Sequence, residues 1–455
     1  MRHFSSGSLG SIAALFFGAS LFGVANAAIP KLSVSPVVAL LDQPIQIRVS
    51  GLKHDQVADL MLRRVDAKGN WTSSVRCRAN SSGAIDLATC LPLAGTYSGA
   101  DAMGLFWSLH PPAGLSGSIL GPRPDTYRYM LQLRANGRTL AQTQLTRTAQ
   151  SPLVQEIALP TTLIGKAFAP TAVGKHPAIL IVGGSEGGHS LDTFAQVLAA
   201  RGFVCLSLAY FAESTLPKQL VDVPLETVQS GLAWLTARPD VDGAHIGMMG
   251  VSKGGELTLL SASMFPQIKA AVALVPSSVV WMGITQSPGP QPSSWTYHGA
   301  PLDFVPGDPK AGMALGMQFA KHQPISLEPM YSESLQNTAA ANKAAIAVEQ
   351  INGPVLLVSG DSDAMWPSSP MSDAVMARLA VHHHPFADQH LHYKNAGHTA
   401  FFPYGPAYGM TQDKQPWGGF NFGGSDSGDA RAAEDAWPKI VRFLDTALAN
   451  KAAVR

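Results

Sequence analysis

From about residue 175 the chain alternates short, unbroken apolar runs with loops and helix-spaced segments, and this alternation constrains the fold more than any other feature. Residues 178–182, 203–208, 246–249, 270–275 and 355–358 are runs of strand length. They lack the in–out alternation of a half-exposed strand, so each has to be covered on both faces. Helical spacing appears at 225–236, 256–265, 372–382 and 432–448. Strands covered on both faces, with helices between them, form a doubly wound, mostly parallel α/β sheet. Hydrophobic residues make up 46% of the 455 and charged residues 14%, enough apolar material to cover such a sheet on both sides.

Residues 30–155 read differently. The runs at 45–49, 60–62 and 127–133 are β-type, with no helical period, and turn signals such as Lys68-Gly69-Asn70 and Ser81-Ser82-Gly83 separate them. That spacing suits a β-sandwich. Residues 111–124, rich in Pro and Gly, read as a loop. Cys77 and Cys90 lie close together here; a disulfide and two free thiols both remain open on sequence alone. Cys205, inside an apolar run, reads as an inert core thiol. Between Pro276 and Gly353 a long stretch with Trp281, Trp295, Tyr297 and Phe304 interrupts the α/β pattern. We expect a partly helical insertion over the active site, the alternative being an excursion on the far side.

The first 27 residues read as a signal peptide: Arg2 and His3, an apolar run to Val24, then Ala25-Asn26-Ala27. Cleavage after Ala27 and export to the periplasm or beyond are expected. The run is short for a span of about 20 residues, which argues against a retained anchor. No stable membrane insertion is expected after its removal. The formal net charge is +1, which gives no electrostatic case for nucleic acid or an anionic membrane.

Gly250-Val251-Ser252-Lys253-Gly254 follows one strand-like run and precedes a helix. That is the setting of a nucleophile elbow in the α/β-hydrolase fold, with Ser252 raised above the sheet and the Lys253 backbone N–H available to an oxyanion. Gly183-Gly184-Ser185-Glu186-Gly187 fits the same pattern, so the motif alone does not choose. It follows an earlier strand, where this fold keeps its second oxyanion donor; Ser252 is therefore the candidate nucleophile and the Gly184, Ser185 and Glu186 backbone the candidate donor. Chain order then asks for an acid and a histidine. Asp361 and Asp363 both follow the 355–358 run, and Asp363 is favoured by its spacing from Gly360. His398 follows the strand-like His390-Leu391-His392-Tyr393 and is the candidate base. His382-His383-His384 reads as solvent-exposed, since adjacent histidines do not share a helix face and no acid or Cys completes a ligand set. No P-loop or dinucleotide signature is present, and no metal or organic cofactor is expected.

Ser252-Lys253-Gly254-Gly255-Glu256 resembles the extended nucleophile motif of the acyl-CoA thioesterase and bile acid-CoA:amino acid N-acyltransferase family. Leu208-Ala209-Tyr210, Leu216-Pro217-Lys218, Gly360-Asp361-Ser362-Asp363 with Trp366, and Trp417-Gly418-Gly419 with Asp435-Ala436-Trp437 are similar to it in the same order. So are Leu40-Leu41-Asp42-Gln43-Pro44 and Met103-Gly104-Leu105-Phe106-Trp107. The resemblance implies an immunoglobulin-like β-sandwich over 28–155 and an α/β-hydrolase domain over 156–455, with an insertion at about 276–353. It carries the nucleophile onto Ser252, the acid onto Asp363 and the base onto His398. It implies a small-molecule acyl thioester or acyl ester as substrate. Hydrolytic members use Ser and the conjugating enzymes Cys, so Ser252 favours hydrolysis over acyl transfer to an amine or alcohol. Known members act inside cells, whereas residues 1–27 point to export.

Overall fold

The computed structural model describes residues 29–66, 69–111, 124–285, 291–399, 401–407 and 418–449. The candidate signal peptide at 1–27, most of the 111–124 loop and Trp417 lie outside them.

The first part is built mainly of β-strands, with one short helix, Gly104–Trp107, buried in its core. Lys31–Ser35, Gln46–Ser50 and Ile85–Asp86 form one sheet; Val38–Leu40, Val57–Asp66, Gly69–Arg78, Ala94–Gly95, Thr126–Ala135 and Arg138–Thr148 form the other. Every second residue turns inward: Ile47 and Val49 from the smaller sheet meet Leu60, Leu62, Val75 and Leu131 from the larger in one core. The two sheets thus face each other across one apolar core. Cys77 and Cys90, 13 residues apart, are joined by a disulfide. Closing a loop of that size stabilises by about 3 kcal/mol. Reduction, or replacement of both cysteines by Ala, is therefore expected to lower the melting temperature of this part, as circular dichroism with and without reductant would show.

Among the described residues the main sheet of the second part has eight strands, numbered here from its own start: β1 Val154–Ile157, β2 Gly165–Pro170, β3 His176–Val182, β4 Val204–Leu208, β5 Val241–Val251, β6 Ile268–Leu274, β7 Val355–Gly360 and β8 Gln389–Tyr393. They lie in the order β1-β2-β4-β3-β5-β6-β7-β8. β2 pairs antiparallel with β1 and β4, and the other pairs are parallel. Five helices cover the sheet: α1 Asp192–Ala199, α2 Glu226–Ala237, α3 Lys253–Met264, α4 Ser368–Val381 and α5 Asp426–Ala447. The unbroken apolar runs divide by parity. Ala178, Leu180 and Val182 of β3 pack under α2, α3 and α4, while Ile179 and Ile181 face α1 and α5. From β3 the chain passes to β4 on one side and later to β5 on the other. The crevice at the carboxyl ends of such a reversal is where open α/β sheets hold their ligands.

The insertion is partly helical, with Pro309–Ala320, Glu328–Ser334 and Thr338–Lys343, and its strand Trp295–Tyr297 pairs with Val223–Pro224. The two parts are joined through polar groups. Buried Asp42 accepts hydrogen bonds from Arg201 Nε at 2.9 Å and from Trp437 Nε1 at 2.8 Å. Buried Arg147 donates to Leu41 O and to Tyr404 O. Among the described residues no helix is long and apolar enough to cross a membrane.

Candidate active site

Ser252 sits between the end of β5 and the start of α3, at φ 57° and ψ −119°. An L-residue enters that region only when its surroundings over-determine it. Here Ser252 N–H is fixed on Leu274 O at 2.8 Å, and α3 starts at once. Gly254 makes the close approach feasible: a Cβ there would lie 2.7 Å from Val182 O.

His398 Nε2 lies 2.9 Å from Ser252 Oγ. On its other side His398 Nδ1 lies 3.0 and 2.9 Å from the two oxygens of Asp363. Asp363 also accepts from Met365 N–H at 2.9 Å, Trp366 N–H at 3.3 Å and Ser368 Oγ–H at 2.6 Å, so its carboxylate is held in one orientation. Asp361, the competing acid, instead accepts from Asn395 N–H and Ser362 Oγ–H and braces a turn. One segment that the sequence did not single out aligns both loops: Phe422 O accepts from His398 N–H at 2.9 Å and from Ala364 N–H at 3.3 Å.

The 183–188 loop follows β3 and lies against the nucleophile, for a Cβ on Gly184 would be 3.2 Å from Ser252 Cβ. Tyr210, fully buried, donates its hydroxyl to Gly183 O at 2.9 Å and Gly184 O at 2.7 Å. In a trans peptide the N–H points away from the C=O. Tyr210 therefore turns the Gly184 and Ser185 N–H groups to the opposite side. Of these, Gly184 N–H is engaged by Glu186 Oε1 at 3.0 Å.

Behind the nucleophile the Lys253 side chain is buried, with Nζ 2.6 Å from Glu256 Oε2. The other Glu256 oxygen accepts from Trp295 Nε1 at 2.7 Å and Trp281 N–H at 3.1 Å, both from the insertion. Burial pushes the Lys253 ammonium down and the Glu256 carboxyl up from their usual values, and the attraction between them opposes both shifts. Trp281, Tyr331 and Trp366 then step edge-to-face towards His398, with ring centroids 4.7, 5.7 and 6.0 Å apart. Trp281 and Tyr331 of the insertion thus connect to His398 through Trp366.

Asp429 of α5 accepts Gly397 N–H at 2.7 Å, one residue before His398, while its other oxygen has no partner among the described residues. Burial, with Asp426 and Asp363 nearby, pushes its carboxyl up from 3.8 to about 8. Between these values the folded chain holds a proton that the unfolded chain has lost, so this contribution to stability falls as pH rises from about 4 to about 8 and is level beyond. Asp429→Asn keeps the bond to Gly397 without that linkage. The variant is expected to gain on the wild type by up to about 1.4 kcal/mol per pH unit across the window, read from melting curves at graded pH.

One surface expectation is corrected. His382 and His383 are exposed, but the His384 side chain is buried, bonded to Asp388 Oδ2 at 2.6 Å and to Ile351 O at 2.8 Å. It acts as a packing residue joining the end of α4 to its neighbours.

The eight-strand order and the strand–turn–helix at Ser252 define an α/β-hydrolase fold. Residues 42–161 match the model for the acyl-CoA thioester hydrolase/BAAT N-terminal region, and residues 223–450 match that for the BAAT/acyl-CoA thioester hydrolase C terminus. The chain belongs to this family and is an enzyme similar to its acyl-CoA thioesterases. The mouse (Mus musculus) bile acid-CoA:amino acid N-acyltransferase is 29% identical over 427 residues, covering 91% of this chain and 97% of that protein. Mouse acyl-coenzyme A thioesterase 2, mitochondrial, is 29% identical over 419 residues, covering 90% and 87%. Among solved structures, an α/β hydrolase from Penicillium sp. sh18 aligns at 14% identity with a TM-score of 0.39, covering 65% of this chain and 99% of that one.

Proposed function

We propose that this enzyme hydrolyses acyl thioesters or acyl esters through an acyl-enzyme on Ser252. The observation that carries the reading is the unbroken hydrogen-bond chain from Ser252 Oγ through His398 to Asp363. His398 takes the Oγ proton as Oγ bonds to the carbonyl carbon. It then gives that proton to the departing thiol or alcohol as the C–S or C–O bond breaks. Water, activated by the same imidazole, releases the acid and restores Ser252. Lys253 N–H and the 184–186 backbone, where Ser185 N–H points away from Tyr210, are the proposed oxyanion donors. Asp363 keeps His398 in the tautomer with Nε2 free to accept.

Hydrolysis is preferred to acyl transfer because the nucleophile is Ser, whose oxyester is cleared readily by water. Further proposals are that residues 1–27 direct export and are removed after Ala27, and that the 28–155 part supports a catalytic part at 156–455. An exported enzyme meets little acyl-CoA, which places environmental acyl esters beside thioesters as candidate substrates.

The test is thiol release from acyl-CoA esters of graded chain length, with simple acyl esters alongside, by protein lacking residues 1–27 and by its Ser252→Ala variant. Turnover of either class that disappears in the variant supports the reading. Turnover that persists, or acyl product formed only when an amine or alcohol acceptor is added, overturns it. Mass spectrometry of the protein recovered from an expressing cell's periplasm or medium, with Ala28 as its first residue, is the expected outcome for export; an intact Met1 or retention in the cytoplasm rejects that part.

A further inference from the structure

Glu186 brings a negative charge to the nucleophile that the proposed reaction does not use. A Cβ built on Gly184 would lie 2.8 Å from Glu186 Oε2 and 3.2 Å from Ser252 Cβ, so the carboxylate and the serine are within about 6 Å of each other. The carboxylate is anchored there. Oε1 accepts Gly184 N–H at 3.0 Å and the Ser190 hydroxyl, and Gly184 is itself pinned from below by Tyr210. The residue is nevertheless exposed, so its charge faces whatever enters.

Several other charged groups near the loop have partners. Lys253 is buried against Glu256 at 2.6 Å. His189, just past the loop, lies between Asp192 at 2.8 Å and Glu213 at 3.2 Å, and Lys166 is 4.0 Å from Asp192. The hydrogen bond to Asp192 raises the His189 pKa above its ordinary value. Asp192 and Glu213 thus each have a partner in that group. Among the described residues Glu186 forms no ion pair, and it is exposed on the loop beside Ser252, whereas Asp363 is buried behind His398.

We propose that Glu186 is a specificity-determining residue that selects substrates by charge, favouring acyl thioesters or esters whose thiol or alcohol carries positive charge near the scissile bond and disfavouring those carrying negative charge there. The inference rests on the hydrolase reading above. Once Ser252 Oγ approaches the scissile carbonyl, a charge two or three bonds beyond the departing atom lies within about 10 Å of Glu186. At an exposed site Coulomb interaction at that range changes rates severalfold per charge. An uncharged arm, such as an N-acylated cysteamine, is the neutral reference.

The experiment uses three thioesters with one acyl group: acylthiocholine, cationic; S-acyl-N-acetylcysteamine, neutral; and S-acyl-3-mercaptopropionate, anionic. Thiol release is followed at low ionic strength with wild type, Glu186→Gln and Glu186→Lys. The wild type is expected to show kcat/KM falling from cationic to neutral to anionic, by about tenfold end to end. Glu186→Gln should compress that span to within about twofold, Glu186→Lys should invert it, and added salt should shrink the wild-type span. A wild-type order that is absent, or that survives in Glu186→Gln, overturns the inference while neutral turnover leaves the hydrolase reading standing. If no thioester is cleaved, the same series is run with choline, N-acetylethanolamine and 3-hydroxypropionate esters. If neither series is cleaved, the hydrolase reading fails and this inference with it.

Discussion

Ser252→Ala is expected to lower kcat by roughly four or more orders of magnitude, with the fold and melting temperature close to wild type. The side chain contributes one hydroxyl, whose partner is His398 Nε2 at 2.9 Å, and its backbone N–H bond to Leu274 O does not depend on it. His398→Ala should cost about as much, and the double variant little more than either alone, because the two act as one unit. Asp363→Asn should cost somewhat less, roughly two to four orders of magnitude, since an amide NH2 facing Nδ1 favours the wrong imidazole tautomer. Asp361→Asn should stay within severalfold of wild type, because Asp361 braces Asn395 and Ser362 rather than His398. Single-turnover and steady-state kinetics on the five variants decide the matter. An Asp361→Asn enzyme as damaged as His398→Ala, beside an active Asp363→Asn, would assign the acid wrongly.

What the sequence reveals and what it hides differ for a physical reason. The central strands were legible because burial on both faces leaves long apolar stretches in them, as in the 178–182 run. β1 and β2 were not: they lie at one edge of the sheet, β1 leaves every residue at least partly exposed, and β2 opens on the half-buried Gly165 and Lys166. Ser252 and His398 were legible because turn chemistry and chain order mark them. Choosing Asp363 over Asp361 needed spacing, and the spacing favours Asp363 only because the Ser362 peptide, held by Ala396 O at 3.0 Å, turns the chain between them. Tyr210 and Asp429 left no signal of their role, since each acts through a backbone group that is distant in sequence. The run His382-His383-His384 misled because exposure was inferred for all three. Only the third meets a carboxylate four residues on and a carbonyl from another loop.

The first-part motifs that resemble the family have a common place in the structure. Asp42 of Leu40-Leu41-Asp42-Gln43-Pro44 meets Trp437 of Asp435-Ala436-Trp437 and Arg201 beside α1. Trp107 O accepts from Ala407 N–H at 2.8 Å. These segments are spread along the chain, yet they converge where the sandwich rests on α1 and α5, the helices under the face of the sheet that includes Ile179 and Ile181. The same surface meets residues 401–407, the segment just after His398, through Tyr404 O and Ala407 N–H.

Breaking the buried pair behind the nucleophile carries the second large expected effect. Glu256→Leu is expected to cost about 3–5 kcal/mol, because it leaves the Lys253 ammonium without its counter-charge in a site that water does not reach. Lys253 is 1% exposed and Glu256 0%, so solvent cannot take the place of the missing partner. The carboxylate also holds Trp281 N–H and Trp295 Nε1, so the same change frees the insertion from α3. Lys253→Met combined with Glu256→Gln removes both charges and keeps an acceptor for the two tryptophans. It should regain most of the loss, since a buried pair replaced by uncharged groups of similar size is often neutral or better. The function should separate the variants as well. Glu256→Leu, with the insertion loosened over His398, should lose more in kcat/KM than the double variant, whose Lys253 N–H still opens α3 beside Ser252. Melting curves and kinetics on both proteins test this. A Glu256→Leu enzyme as stable as wild type would mean that the pair is not the tie between nucleophile helix and insertion that its geometry indicates. A double variant as damaged as the single one would place the effect in the charges themselves.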